Sequence, residues 1–173
     1  AFFRRQRQMC IRDRHMLQGA TMAEQSREPD EIIIGTLLHD IGHFTSEFGT
    51  FSMEDTEDRY HEDAGAAVLE QFFPKVITDC CRHHVAAKRY LCATDPEYFQ
   101  KLSIASIHSL NLQGGPMCEA EIKDFEKNPN LKKILKVRLY DDAGKIPDMA
   151  TPSFWHFAPL VQKMVDSHCS KEK

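Results

Sequence analysis

A chain of 173 residues, 42% hydrophobic and 28% charged, has the composition of one globular domain with one core. Its net charge of −4 argues against a nucleic-acid partner or an anionic membrane surface. It shows neither a signal-peptide layout nor an apolar run of about eighteen residues, so a soluble, cytoplasmic protein is expected, and a monomer.

Residues 1–14 stand apart. Five arginines (4, 5, 7, 12 and 14) against Asp13 give this stretch +4 and leave −8 on residues 15–173. It shows no clear helical stripe and reads as a disordered or non-native basic leader. The domain proper is expected over 15–168, with 169–173 as a tail.

From residue 15 onward the periodicity is helical. Met16 to Glu28 predicts a first helix, ended near Pro29. Asp30 is a good N-cap for a second, running to about Asp40 through the apolar stretch Ile32–Leu38. Gly42 permits a sharp exit. Residues 44–60 are rich in acids and predict a long loop. His61 to Phe73 places Ala64, Val68, Leu69, Phe72 and Phe73 on one helix face, with His61 at its N-terminal end. Pro74 suits the first turn of a fourth helix carrying His83 and His84. Thr94-Asp-Pro-Glu97 reads as a capping box opening a helix through Leu110. Gly114-Gly115-Pro116 breaks the chain in a tight turn, and no Lys-Ser/Thr pair follows to make it a phosphate loop. Three further helices are expected: Glu119–Glu126, one from Asn128-Pro129 through Asp141, and one over roughly Pro152–Ser167. No period-2 strand is visible, so the class is all-α.

The cysteines form no C-x-x-C pair, and Cys80 and Cys81 are adjacent, so free thiols in a reducing compartment are expected. Histidine carries more information. His39-Asp40 closes the apolar second helix, where an unpartnered carboxylate would cost several kcal/mol and therefore needs a metal, a cation or hydrogen bonds. The candidate ligands are His15, His39, Asp40, His61, His83 or His84, and Asp141 or Asp142. Imidazole and carboxylate without thiolate suit iron, manganese, nickel or zinc at a reactive site better than a structural zinc. Asp40 can bridge two ions with its two oxygens. One ion would then add His15, His39 and a downstream aspartate, and the other His61 and a downstream histidine, a set with open positions.

The order H…HD…H…H…D resembles the HD-domain superfamily of metal-dependent phosphohydrolases. More closely, it is similar to the phosphonate-oxidising diiron oxygenases typified by 2-amino-1-hydroxyethylphosphonate dioxygenase. The residues carrying this likeness are His15-Met-Leu-Gln-Gly-Ala20, Leu38-His-Asp-Ile-Gly-His43, His61-Glu62, His84-Val-Ala-Ala-Lys-Arg-Tyr-Leu91, Leu110-Asn-Leu-Gln-Gly-Gly-Pro-Met117 and Arg138-Leu-Tyr-Asp-Asp142. The resemblance implies a single helical bundle around two iron ions in a mixed-valence Fe(II)/Fe(III) pair. Dioxygen would be co-substrate in cleaving the carbon–phosphorus bond of a small 1-hydroxyphosphonate to phosphate and a carboxylic acid. It assigns the metal to His15, His39, Asp40, His61, His84 and Asp141. His84 is chosen over His83 by its spacing of four to Lys88, and Asp141 over Asp142 by its spacing of three from Arg138. His43, Lys88, Ser106 and Arg138 take the phosphonate. The ammonium and guanidinium, a turn from metal ligands, suit an anion. The bridging Asp40, Lys88 and Arg138 are the expected catalytic residues. Hydrolysis of a nucleotide or another phosphate ester by a metal-bound water is the competing activity. The family's Tyr and Glu lid upstream of the first histidine has no counterpart in Arg4–Cys10.

Overall fold

The computed structural model describes residues 2–44 and 60–170, with side chains from Arg14 onward. No strand occurs among the described residues, in agreement with the all-α reading. No described helix is long and apolar enough to cross a membrane. The helices in order are α1 (Phe2–Gln25), α2 (Asp30–Leu38), a 3-10 turn (Ile41–Phe44), α3 (His61–Leu69), α4 (Lys75–Thr94), α5 (Pro96–Gln100), α6 (Ile104–Leu112), α7 (Glu119–Phe125), α8 (Leu131–Ala143) and α9 (Phe154–Cys169).

Helix α2 is the axis of the bundle. Ile32 through Leu38 are all buried, so the helix presents no polar face and must be enclosed. Its three consecutive isoleucines are mediocre helix formers, and burial overrides that local preference. Helices α1, α4, α8 and α9 pack around it, and α3 packs on α4 and on the 3-10 turn. Ile34, Leu37, Ile77, Ile134, Val137 and Phe157 form the fully buried centre. Asp79 is buried here as well and is satisfied by Lys75 and Asn130, at 2.5 and 2.8 Å.

Several expected boundaries move. Helix α1 takes in the basic stretch before His15 and stops at Gln25, not Glu28. Pro29, not Asp30, caps α2. The expected 61–73 helix stops at Leu69, and its last residues, Glu70 to Phe73, form a turn. The single helix expected from Thr94 to Leu110 is two. Asp95, rather than Thr94, caps α5 by accepting from the backbone of Glu97 and Tyr98, and Ser103 caps α6 by accepting from Ser106 N–H. Each cap meets a helix start that helical periodicity alone does not mark. Most of the loop expected over 44–60 lies outside the described residues.

Gly42 does more than release the chain from α2. A Cβ there would collide with the His61 carbonyl oxygen and come 2.8 Å from Gly65 N. Only glycine lets the 3-10 turn press against the start of α3, and that approach sets His61 beside Asp40.

Candidate metal centre

Five elements each bring a donor to one place. His15 comes from α1, His39 and Asp40 from the end of α2, His61 from the first position of α3, His84 from the middle of α4 and Asp141 from the last turn of α8. Two of the imidazoles are oriented by their own helices. His39 Nδ1 lies 2.8 Å from Thr36 O and His84 Nδ1 lies 2.7 Å from Cys81 O. A carbonyl only accepts, so each Nδ1 carries a proton and each ring turns its Nε2 inward.

Those Nε2 atoms meet other acceptors. His61 Nε2 is 3.0 Å from His84 Nε2 and 3.1 Å from Asp40 Oδ1, and His84 Nε2 is 3.3 Å from the same oxygen. On the other side His15 Nε2 is 3.3 Å from Asp40 Oδ2, 3.4 Å from His39 Nε2 and 3.6 Å from Asp141 Oδ1; His39 Nε2 is 3.4 Å from that Asp141 oxygen. Nitrogens and oxygens converging at these separations can share a cation between them. Two ligands about 2.1 Å from one ion, at ordinary bond angles, lie roughly 3.0–3.4 Å apart. Two groups therefore fit an ion each, His15-His39-Asp141 and Asp40-His61-His84, with donor atoms within 4.8 Å of one another in each. Asp40 turns one oxygen to each group.

Electrostatics at the centre follow from burial and crowding. Burial pushes the His84 imidazole down to about 4, against the pull of Asp40. Burial acts the same way on His39, but Asp141 and Asp40 outweigh it and raise that ring to about 8. Burial would raise Asp40, yet His39, His43 and the hydrogen bonds from His15 and His61 hold it well below the usual carboxylate range. Asp141 is held low in the same way by Arg138, Lys145 and His39. Both carboxylates are thus anionic, as ligands must be.

Cationic residues border both groups. His43, on the 3-10 turn, stacks on His61 with ring centroids 3.9 Å apart and places Nε2 3.7 Å from Asp40 Oδ1. Lys88 lies one turn beyond His84 and is only 4% exposed. Its ammonium donates to Ser109 Oγ at 2.8 Å. Burial, then the nearby Arg138, lower its pKa to about 7. Arg138 is buried and shared between carboxylates, with one terminal nitrogen 2.6 Å from Asp141 Oδ2 and the other on Asp142 Oδ1. Ser106 engages Ser103 through both its N–H and its hydroxyl. Ser109, one turn on along α6, is the hydroxyl that meets Lys88.

The bland alternatives sort themselves out. His83 is half-buried and packs its ring edge-on against Phe125, away from the cluster. Arg89 is structural: it donates to Gly115 O at 2.8 Å and pairs with Glu121 at 2.7 Å. That bond pins the Gly114-Gly115 turn, where φ values of +92° and +72° demand glycine, to the residue that follows Lys88 in the chain. An apolar cavity of about 510 Å³ is lined by Met16, Leu37, Ile41, Phe44, Phe154 and Trp155 among others, with no histidine, acid or cation among the described residues of its wall.

The HD domain family matches residues 12–137, most of the chain. A (1-hydroxy-2-(trimethylamino)ethyl)phosphonate dioxygenase (glycine-betaine-forming) of Leisingera caerulea is 75% identical over 154 residues, covering 89% of this chain and 79% of that protein. A hydroxymethylphosphonate dioxygenase of Gimesia maris is 40% identical over 153 residues, covering 88% and 76%. The chain belongs to the HD-domain phosphonate oxygenases. As a member of that family it is a metal-dependent oxygenase, and each of its two histidine–aspartate groups has the donors to hold a metal ion.

Sequence reasoning missed some of this oxygenase's polar contacts. Ser109 has the same helical face as Ser106, three residues earlier, and that spacing was a usable signal. Lys145, 3.4 Å from Asp141 Oδ1, lies one turn past it on the same side. Glu62 Oε2 comes 3.3 Å from His61 Nδ1, on the face away from Asp40. Tyr98 had no sequence signal at all. It sits on a five-residue helix and meets its partner Asp142 across 44 positions of chain, at 2.6 Å.

Proposed function

We propose that this protein cleaves the carbon–phosphorus bond of a 1-hydroxyphosphonate with dioxygen. The observation that carries the reading is Asp40, with one carboxylate oxygen facing each of two complete ligand groups. By likeness to the Leisingera relative, the substrate is (1-hydroxy-2-(trimethylamino)ethyl)phosphonate and the carboxylate product glycine betaine. The reaction balances without an outside reductant: R–CH(OH)–PO3H2 plus O2 yields R–COOH plus H3PO4.

In this reading His15, His39, Asp40 and Asp141 hold one ion and Asp40, His61 and His84 the other, within a catalytic domain spanning 15–168. Two irons in a mixed-valence pair would supply the activation of dioxygen. The chain's own side chains do the rest. Lys88 is a buried ammonium that donates to the Ser109 hydroxyl, and a phosphonate oxygen provides a counter-charge. Arg138 offers its remaining N–H donors to the same anion. His43 lies beside the Asp40 edge that faces His61 and His84. Ser106 is the hydroxyl that the family likeness assigns to the phosphonate. Burial of the donor groups keeps water from competing for the anion.

The test uses protein purified without oxygen and loaded with iron, with metal content measured. Addition of 1-hydroxyphosphonate and oxygen is expected to release phosphate and consume oxygen in equal amounts. Phosphate released equally well without oxygen would assign the site to hydrolysis. No phosphate from a small panel of 1-hydroxyphosphonates, with iron bound, would end the proposal.

A further inference from the structure

We infer that Tyr98 is a positioning residue for the anion site: with Asp142 it grips the Nε edge of Arg138 and so aims the terminal nitrogens at Asp141 and the bound phosphonate. This rests on the reading of Arg138 as an anion contact.

The geometry is a closed ring of short bonds. Tyr98 Oη donates to Asp142 Oδ2 at 2.6 Å, and Arg138 Nε donates both to that oxygen at 2.9 Å and to the phenol at 3.1 Å. The second Asp142 oxygen takes a terminal Arg138 nitrogen, which completes a fork on one edge of the guanidinium. The other terminal nitrogen reaches Asp141 Oδ2 at 2.6 Å, while Asp141 Oδ1 faces His39 and His15. Of the five N–H donors of an arginine, these partners account for three, so one on each terminal nitrogen is left for an anion.

The phenol is held where it must be. Asp95 Oδ1 accepts from the backbone N–H of both Glu97 and Tyr98, and Pro96 fixes the first turn between them. The short α5 is therefore a strut that carries Tyr98 from the end of α4, which bears Lys88, to the last turns of α8, which bear Arg138 and Asp142. Burial, reinforced by Asp142, raises the Tyr98 pKa, so the phenol stays a donor. Arg138 is only 4% exposed, and without a fixed edge its planar group could turn about its terminal torsions toward either carboxylate.

The experiment compares iron-loaded wild type with Tyr98→Phe, Asp142→Asn and Arg138→Lys. It measures inorganic phosphate binding by calorimetry, steady-state kinetics on a 1-hydroxyphosphonate, iron content and Tm. Tyr98→Phe is expected to weaken phosphate binding and raise KM roughly tenfold, a typical loss for an outer partner of a site, with kcat changed about twofold or less and iron content unchanged. Asp142→Asn moves the same quantities in the same direction and carries the comparison should Tyr98→Phe not fold. A purely structural Tyr98 would instead lower Tm and kcat together, with phosphate affinity intact; that result overturns the inference. If Arg138→Lys also binds phosphate like wild type, the anion site itself is misassigned, and the role of Tyr98 falls with it.

Discussion

Lys88 offers a pH test with a sign that follows from burial. Its ammonium sits at about 7 against an ordinary 10.5 because it is buried and faces Arg138. At about 1.4 kcal/mol per unit, full restoration of the charge by an anion corresponds to roughly 5 kcal/mol at most, and relaxation leaves less. In the free enzyme Lys88 loses its proton above about 7, so capture of a phosphonate dianion weakens as pH rises. Between pH 7 and 9 kcat/KM is expected to fall roughly tenfold per unit. Lys88→Arg keeps its charge throughout and loses this limb, while sharing any titration of the substrate itself. The assay is kcat/KM against pH for both proteins at constant ionic strength. Superimposed profiles would refute the argument. Stability follows the same linkage. The unfolded chain keeps the lysine proton to about 10.4 and the folded chain releases it near 7, so this group's contribution rises with pH across that window and is flat below it.

Two further outcomes are expected. His61→Ala removes the nitrogen 3.1 Å from Asp40 Oδ1 and should reduce bound metal from two ions per chain to one, with activity down about a hundredfold; unchanged metal content and rate would disprove the two-ion arrangement. Gly42→Ala forces the 3-10 turn off the His61 carbonyl, at a cost of about 3 kcal/mol, which for a chain this size means a Tm lower by roughly 5–10 °C. It should also weaken metal binding, because His61 is what that contact places. A variant that melts with wild type would show that the close approach is not needed.

How much of this was legible beforehand depends on the distance over which each signal acts. The choice of His15, His39, Asp40, His61, His84 and Asp141 as ligands came from the family likeness, whereas the helical class and the buried α2 lie in the sequence itself, since periodicity reports which residues share a helix face. Spacing separated His84 from His83 for the same reason: adjacent residues on a helix point about 100° apart, so only one could face the cluster. The end of α3 and the break between α5 and α6 were not legible. The apolar pattern runs through both, and a cap overrides it at the second.

The amino-acid sequence by itself pointed to the class of site, because imidazoles and carboxylates in an apolar context need a metal, a cation or hydrogen bonds wherever the chain takes them. Only the tertiary structure decided that Ser109 is the hydroxyl touching Lys88 and that Arg138 is gripped by Tyr98 and Asp142. These are contacts between helices. The pair Tyr98–Asp142 is 44 residues apart and Lys88–Ser109 is 21. Their meeting is set by how α5, α6 and α8 dock on α4, and no local periodicity encodes that docking.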